Sequence, residues 1–108
     1  MAHPSKVKGN TFERFVVNKA KEYGIEAKRA YASNGESLGL HAEVDVYFPV
    51  LDMKAQLKRY KRIGNNVKPN KNVDVQIIKQ DRDEAYIVFR LEDWLKHISG
   101  KANNNVGS

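Results

Sequence analysis

Two stretches of alternating apolar and polar residues, 41–48 and 53–60, lie on either side of Pro49-Val50-Leu51-Asp52, and this pattern predicts a β-hairpin for the middle of the chain. In the first stretch Ala42, Val44, Val46 and Phe48 share one face, while His41, Glu43, Asp45 and Tyr47 share the other. In the second, Met53, Ala55 and Leu57 alternate with Lys54, Gln56 and Lys58. Two registers compete. Pairing Asp45 with Asp52 puts the turn at Phe48-Pro49, which has no glycine or asparagine to adopt primed-turn geometry. Pairing Asp45 with Gln56 sets Phe48 against Met53, leaves Val50-Leu51 as the turn and gives strands long enough to pair, so it is preferred.

Other elements flank this hairpin. Phe12, Phe15, Val16, Ala20 and Tyr23 recur at helical spacing, and Gly24 follows where a C′ glycine stops a helix, predicting a helix over 11–23. A short strand is expected over 25–30 and a loop over 33–37, where every residue suits a turn. Residues 64–72 are rich in glycine, asparagine and proline and read as a loop. The apolar runs 73–79 and 85–90, joined by Asp81-Arg82-Asp83-Glu84, form a second hairpin. Leu91, Trp94, Leu95 and Ile98 predict a short closing helix before Gly100. A chain of 108 residues, 41% of them hydrophobic, fits one core. The expected fold is α/β: a single mixed five-stranded β-sheet flanked by helices. Its domain occupies 9–99, between a flexible 1–8 segment and a disordered, asparagine-rich 100–108 tail.

Charge narrows the function. Lys and Arg number 19 against 13 Asp and Glu, a net +6, which favours a polyanionic partner. The excess is local: between Asp52 and Asp74 there is no acid, while Lys54, Lys58, Arg59, Lys61, Arg62, Lys68 and Lys71 all fall there. A single-sign run of this kind predicts contact with phosphates rather than a merely solvated face. Tyr60, inside the run, can stack on a base or cover a sheet edge. The absence of cysteine excludes disulfides, thiolate nucleophiles and sulfur-based zinc sites. No apolar run approaches the ~20 residues needed to cross a bilayer, so a soluble, cytoplasmic protein is expected.

Phosphodiester chemistry beside a basic face calls for carboxylates that hold a divalent metal. Asp45 is the foremost candidate, an acid in an apolar-alternating strand. Across the hairpin, Gln56-Leu57-Lys58 and Asp52-Met53-Lys54 are both acceptor-x-lysine triplets on its face. Register favours the first and charge the second, since a carboxylate is the stronger ligand. Glu13 is either the N3 residue of a capping box begun by Asn10, or a ligand delivered from the first helix. His41 and Glu43 share the Asp45 face, but residues two apart on a strand diverge by ~6–7 Å and rarely chelate one ion.

Taken together, Lys8-Gly9 leading into a helix with Glu13-Arg14, then Ser33-Asn34-Gly35, Asp45 on a strand and Gln56-Leu57-Lys58-Arg59, resemble the archaeal-type Holliday junction resolvases of the PD-(D/E)XK nuclease superfamily. The likeness is nearest to their short phage-encoded members. It continues through Val73-Asp74-Val75 and Asp81-Arg82 to Arg90-Leu91-Glu92-Asp93-Trp94-Leu95, covering most of 8–98. The resemblance implies a catalytic set of Glu13, Asp45, Gln56 and Lys58. It implies Mg²⁺, with Mn²⁺ as a substitute, held by Asp45, Gln56, the Leu57 carbonyl and Glu13. DNA contacts would come from Lys8, Ser33, Asn34, Arg59, Lys61 and Arg62. It also implies a homodimer that nicks four-way junctions symmetrically in the host cytoplasm, without a small-molecule cofactor. Gln56 departs from the family's glutamate, which lowers the negative charge at the metal. The family's helix after the third strand is here reduced to the 64–72 loop. Cleavage of duplex, flap or mismatched DNA, or DNA binding without catalysis, are the alternatives.

Overall fold

A computed structural model describes the backbone over residues 4–30 and 35–107, and side chains over 11–30 and 35–100. Where the length predicts one core, the chain divides into two compact units, Met1–Arg59 and Tyr60–Ser108.

The first unit opens with α1, Pro4–Glu22. The proline at its first position needs no amide partner there and has a φ already suited to a helix. Asn10 therefore lies inside α1 rather than ahead of it, and the capping-box reading of Glu13 loses its N-cap. The C-terminus forms where Gly24 predicts it. Gly24, at φ 74°, donates to Lys21 O at 2.9 Å, and Ile25 donates to Ala20 O at 2.9 Å, the paired bonds of a Schellman motif. On the inward stripe Glu13, Val16 and Ala20 are buried, joined by Ile25, Ala30, Val44, Val46 and Phe48.

Strands β1 (Lys28–Arg29), β2 (Val46–Phe48) and β3 (Met53–Ala55) form an antiparallel sheet in the order β1-β2-β3. Phe48 stands opposite Met53 and Val46 opposite Ala55, the register preferred from the sequence. A 3₁₀ turn, Pro49–Leu51, joins β2 to β3, and Asp52 closes it in the left-handed region (φ 47°), its amide donating to Pro49 O. The strands are shorter than the alternation suggests. Residues 41–44 turn instead, with Val44 N–H on His41 O, and they wrap a second 3₁₀ segment, Gly35–Leu38. Gly35 is buried there because a Cβ would collide with the His41 carbonyl and stand 2.9 Å from Val44 Cβ.

The second unit contains β4 (Val75–Lys79), β5 (Ala85–Phe89) and α2 (Leu91–Gly107). β4 and β5 pair antiparallel, Ile77 opposite Ile87, around a turn in which Arg82 takes φ 61°. α2 runs through Gly100 into the asparagine-rich segment, for which the sequence predicts no regular structure. The 64–72 stretch is a loop, as expected, but it is tightly bonded. The Arg90 guanidinium donates to Asn70 O at 2.6 Å, Val73 O at 2.9 Å and Pro69 O at 3.3 Å, and also meets Asp93.

The expected single mixed five-stranded sheet is not what forms. The described residues make two separate antiparallel sheets, of three strands and two. Alternation and turn residues specify hairpins, whereas joining two hairpins into one sheet requires a non-local pairing that no local pattern encodes.

Candidate active site

The Asp45 carboxylate sits at the mouth of the β2–β3 hairpin. Its amide donates to Ala55 O at 2.9 Å and its carbonyl accepts the Ala30 amide at 2.9 Å, so Asp45 lies one residue before the Val46–Ala55 pair that ends the regular ladder. The side chain turns across the gap, and Oδ2 accepts the Leu57 amide at 2.7 Å. That distance is typical of a charge-assisted bond. The structure thus joins Asp45 to the Gln56–Leu57–Lys58 segment, with Gln56 and Lys58 exposed and Asp45 half-buried.

A second arrangement lies on the same face. Lys28, Tyr47 and Lys54 stand in one cross-strand row. The Tyr47 hydroxyl donates to Asp52 Oδ1 at 2.7 Å. This bond to Asp52, reinforced by desolvation and the carboxylate charge, raises the phenol above its ordinary value. Tyr47 was missed as a site residue, although strand alternation does place it beside Asp45.

Glu13 is held elsewhere. It is only 2% exposed, and its Oε2 lies 3.3 Å from Arg29 Nη2. Arg29 is the cross-strand partner of Val46, and alternation puts both on the buried face of the sheet, away from the side chains of Asp45 and Tyr47. The Arg29 Nε is buried without a hydrogen-bond partner. His41 folds back on its own turn, with Nδ1 accepting the Glu43 amide at 3.2 Å. Among the described residues no three His, Cys, Asp or Glu side chains converge as a metal-binding group.

The basic residues are presented openly. Lys54, Lys58, Arg59, Lys61, Arg62, Lys68 and Lys71 are all exposed, and among the described residues none forms an ion pair. Ser33 and Asn34 lie outside the described residues. Lys8 falls within α1, outside the described side chains. No helix among the described residues is long and apolar enough to cross a membrane. Comparison with protein-family models, curated proteins and solved structures finds no match.

Proposed function

We propose that the chain is a metal-dependent endonuclease that nicks four-way DNA junctions as a homodimer in the host cytoplasm. The supporting observation is the 2.7 Å bond between the Asp45 carboxylate and the Leu57 amide. It ties an acid to an acceptor-x-lysine segment at the head of a stretch with seven cations and no acid.

The donor chemistry fits a hard cation. Asp45 Oδ1, the Gln56 amide oxygen and the Leu57 carbonyl are all oxygens, the ligand type that Mg²⁺ or Mn²⁺ takes. When bound, such an ion polarises a phosphate and acidifies water. Lys58 then orients the attacking water or neutralises charge developing on the phosphate. Glu13 joins the ligand set, directly or through water, only by exchanging Arg29. Arg59, Lys61 and Arg62, with Lys8, Ser33 and Asn34, contact the DNA backbone. Two symmetric nicks on a two-fold junction call for two sites, hence the dimer.

Asp52-Met53-Lys54 is the second candidate triplet, supported by the Tyr47 hydroxyl that fixes Asp52. Nicking of a labelled junction and of a linear duplex, with and without Mg²⁺, tests the reading. Asp45→Asn abolishes cleavage and retains or tightens binding, since a charge repelling phosphate is gone. Lys58→Ala costs about 10²-fold more rate than Lys54→Ala if Lys58 stabilises the transition state. Near wild-type cleavage by Asp45→Asn overturns the proposal. Equal affinity for duplex removes the junction specificity.

A further inference from the structure

The three-stranded sheet turns one face to the core and the other to solvent. Val46 and Phe48 are buried on the first, and α1 reaches that side through the Glu13–Arg29 pair. On the second, Lys28, Tyr47 and Lys54 form a row across all three strands, with a lysine on each outer strand and the aromatic residue between them. Both lysines are exposed and, among the described residues, neither forms an ion pair. Neighbouring strands lie ~4.8 Å apart, so the two lysine backbones stand about 10 Å from each other with the ring in the gap. The ring is also held in place. Its hydroxyl donates to Asp52 Oδ1 at 2.7 Å, and Asp52 lies two residues before Lys54, the cross-strand partner of Tyr47. Diagonal neighbours of this kind are ~7–8 Å apart, a span that the two side chains bridge only by leaning toward each other. The ring therefore lies along the sheet instead of standing off it. That pose covers one face of the ring and opens the other, in keeping with a half-buried residue.

We propose that this face is a platform for single-stranded DNA, with one unpaired base stacked on Tyr47 and the phosphates on either side of it held by Lys28 and Lys54. Every base has a π-face, so a flat aromatic surface takes any of them. Lysine meets phosphate as a point charge. An intact duplex offers no such contact because its bases already stack on one another, and the occupant has to be unpaired. Sheets that hold single strands use exposed aromatic residues in this way. The proposal rests on the reading of DNA as the partner and adds to it the state of the strand. Tyr47 stands two residues from Asp45 on the same face, about 6–7 Å away, which is roughly two nucleotide steps of a stacked strand.

The test is fluorescence anisotropy with labelled oligothymidylate and with a strand of equal length made of abasic sites, in EDTA so that nothing is cleaved. Wild type is expected to bind the thymidine strand more tightly than the abasic one, a comparison that needs no variant. Tyr47→Leu weakens binding of the thymidine strand about tenfold and leaves both the abasic strand and the salt slope unchanged, since stacking releases no counterions. Tyr47→Phe keeps the ring and most of the affinity. Lys28→Ala weakens both strands and lowers the log–log salt slope by about 0.7, the value for one phosphate contact on a single strand. Equal affinity of wild type for the two strands, a Tyr47→Leu variant that binds the thymidine strand like wild type or loses both strands equally, or an unchanged slope in Lys28→Ala overturns the proposal. So does binding confined to phosphatidylglycerol vesicles. A chain that nicks nothing and gives these results keeps the platform, and one that nicks junctions without them loses it.

Discussion

Glu13 offers a direct measurement of what a buried charge costs this fold. Replacing Arg29 with methionine keeps most of the aliphatic bulk and removes the cation 3.3 Å from the carboxylate. Removing one partner of a fully buried ion pair costs ~3–5 kcal/mol, because the other charge stays desolvated. The Arg29 side chain is 32% exposed, so water already screens part of the interaction, and we expect a loss of about 2 kcal/mol. In a domain of this size that lowers the melting temperature by about 10 °C. The reverse change, Glu13→Leu, leaves the partly exposed guanidinium free to reach water and so costs less. The double variant Glu13→Leu/Arg29→Met buries neither charge and drops the unpartnered Nε, so it stays within about 1 kcal/mol of wild type. Urea denaturation of the four proteins, followed by circular dichroism, completes the cycle. If Arg29→Met is no less stable than the double variant, the carboxylate is not desolvated in the way its burial implies and the reasoning fails.

Two further outcomes follow from the hairpin and its support. Because the Tyr47 hydroxyl donates to Asp52, folding favours the neutral phenol, and its pKa is raised. The contribution of that bond to stability is complete below the unfolded value near ~10 and disappears as pH rises through the folded value above it. Absorbance titration of tyrosinate is expected to show one group lagging in wild type and the lag removed in Asp52→Gly, a residue that also suits φ 47°; identical curves refute the bond. Gly35→Ala presses a methyl against the His41 carbonyl and Val44. It is expected to cost about 1–3 kcal/mol in thermal unfolding, and an unchanged midpoint shows that the segment yields.

What could be read from the residues depends on how local the cause is. The end of α1 was legible because a Schellman motif needs only one glycine in place. The β2–β3 register was legible because Phe48 and Met53 must meet once Pro49-Val50-Leu51-Asp52 forms the turn. The extent of β2 was misread: alternation reports burial, and Val44 is buried from within a turn rather than a ladder. The Arg29 partner of Glu13 lies sixteen residues away, and only the fold brings the two together. The clasp made by Arg90 was equally hidden, since one cation binding three carbonyls leaves no periodic trace. The union of the two hairpins into one sheet was expected although no local pattern encodes it, and the described residues form two separate sheets.

That clasp has a consequence for association. Lys68 and Lys71 sit on a segment whose backbone is already held at Pro69, Asn70 and Val73 by a single guanidinium. A loose loop of the same composition loses ~1–2 kcal/mol of backbone entropy for each residue that a polyanion orders. Here that ordering belongs to folding rather than to encounter. Under the proposed contact with DNA phosphates, the two ammonium groups would meet the anion from a preset backbone, with only their own side-chain freedom left to lose. On that reading Arg90, without touching the ligand, would set the entropy of binding at lysines up to 22 residues before it in the chain.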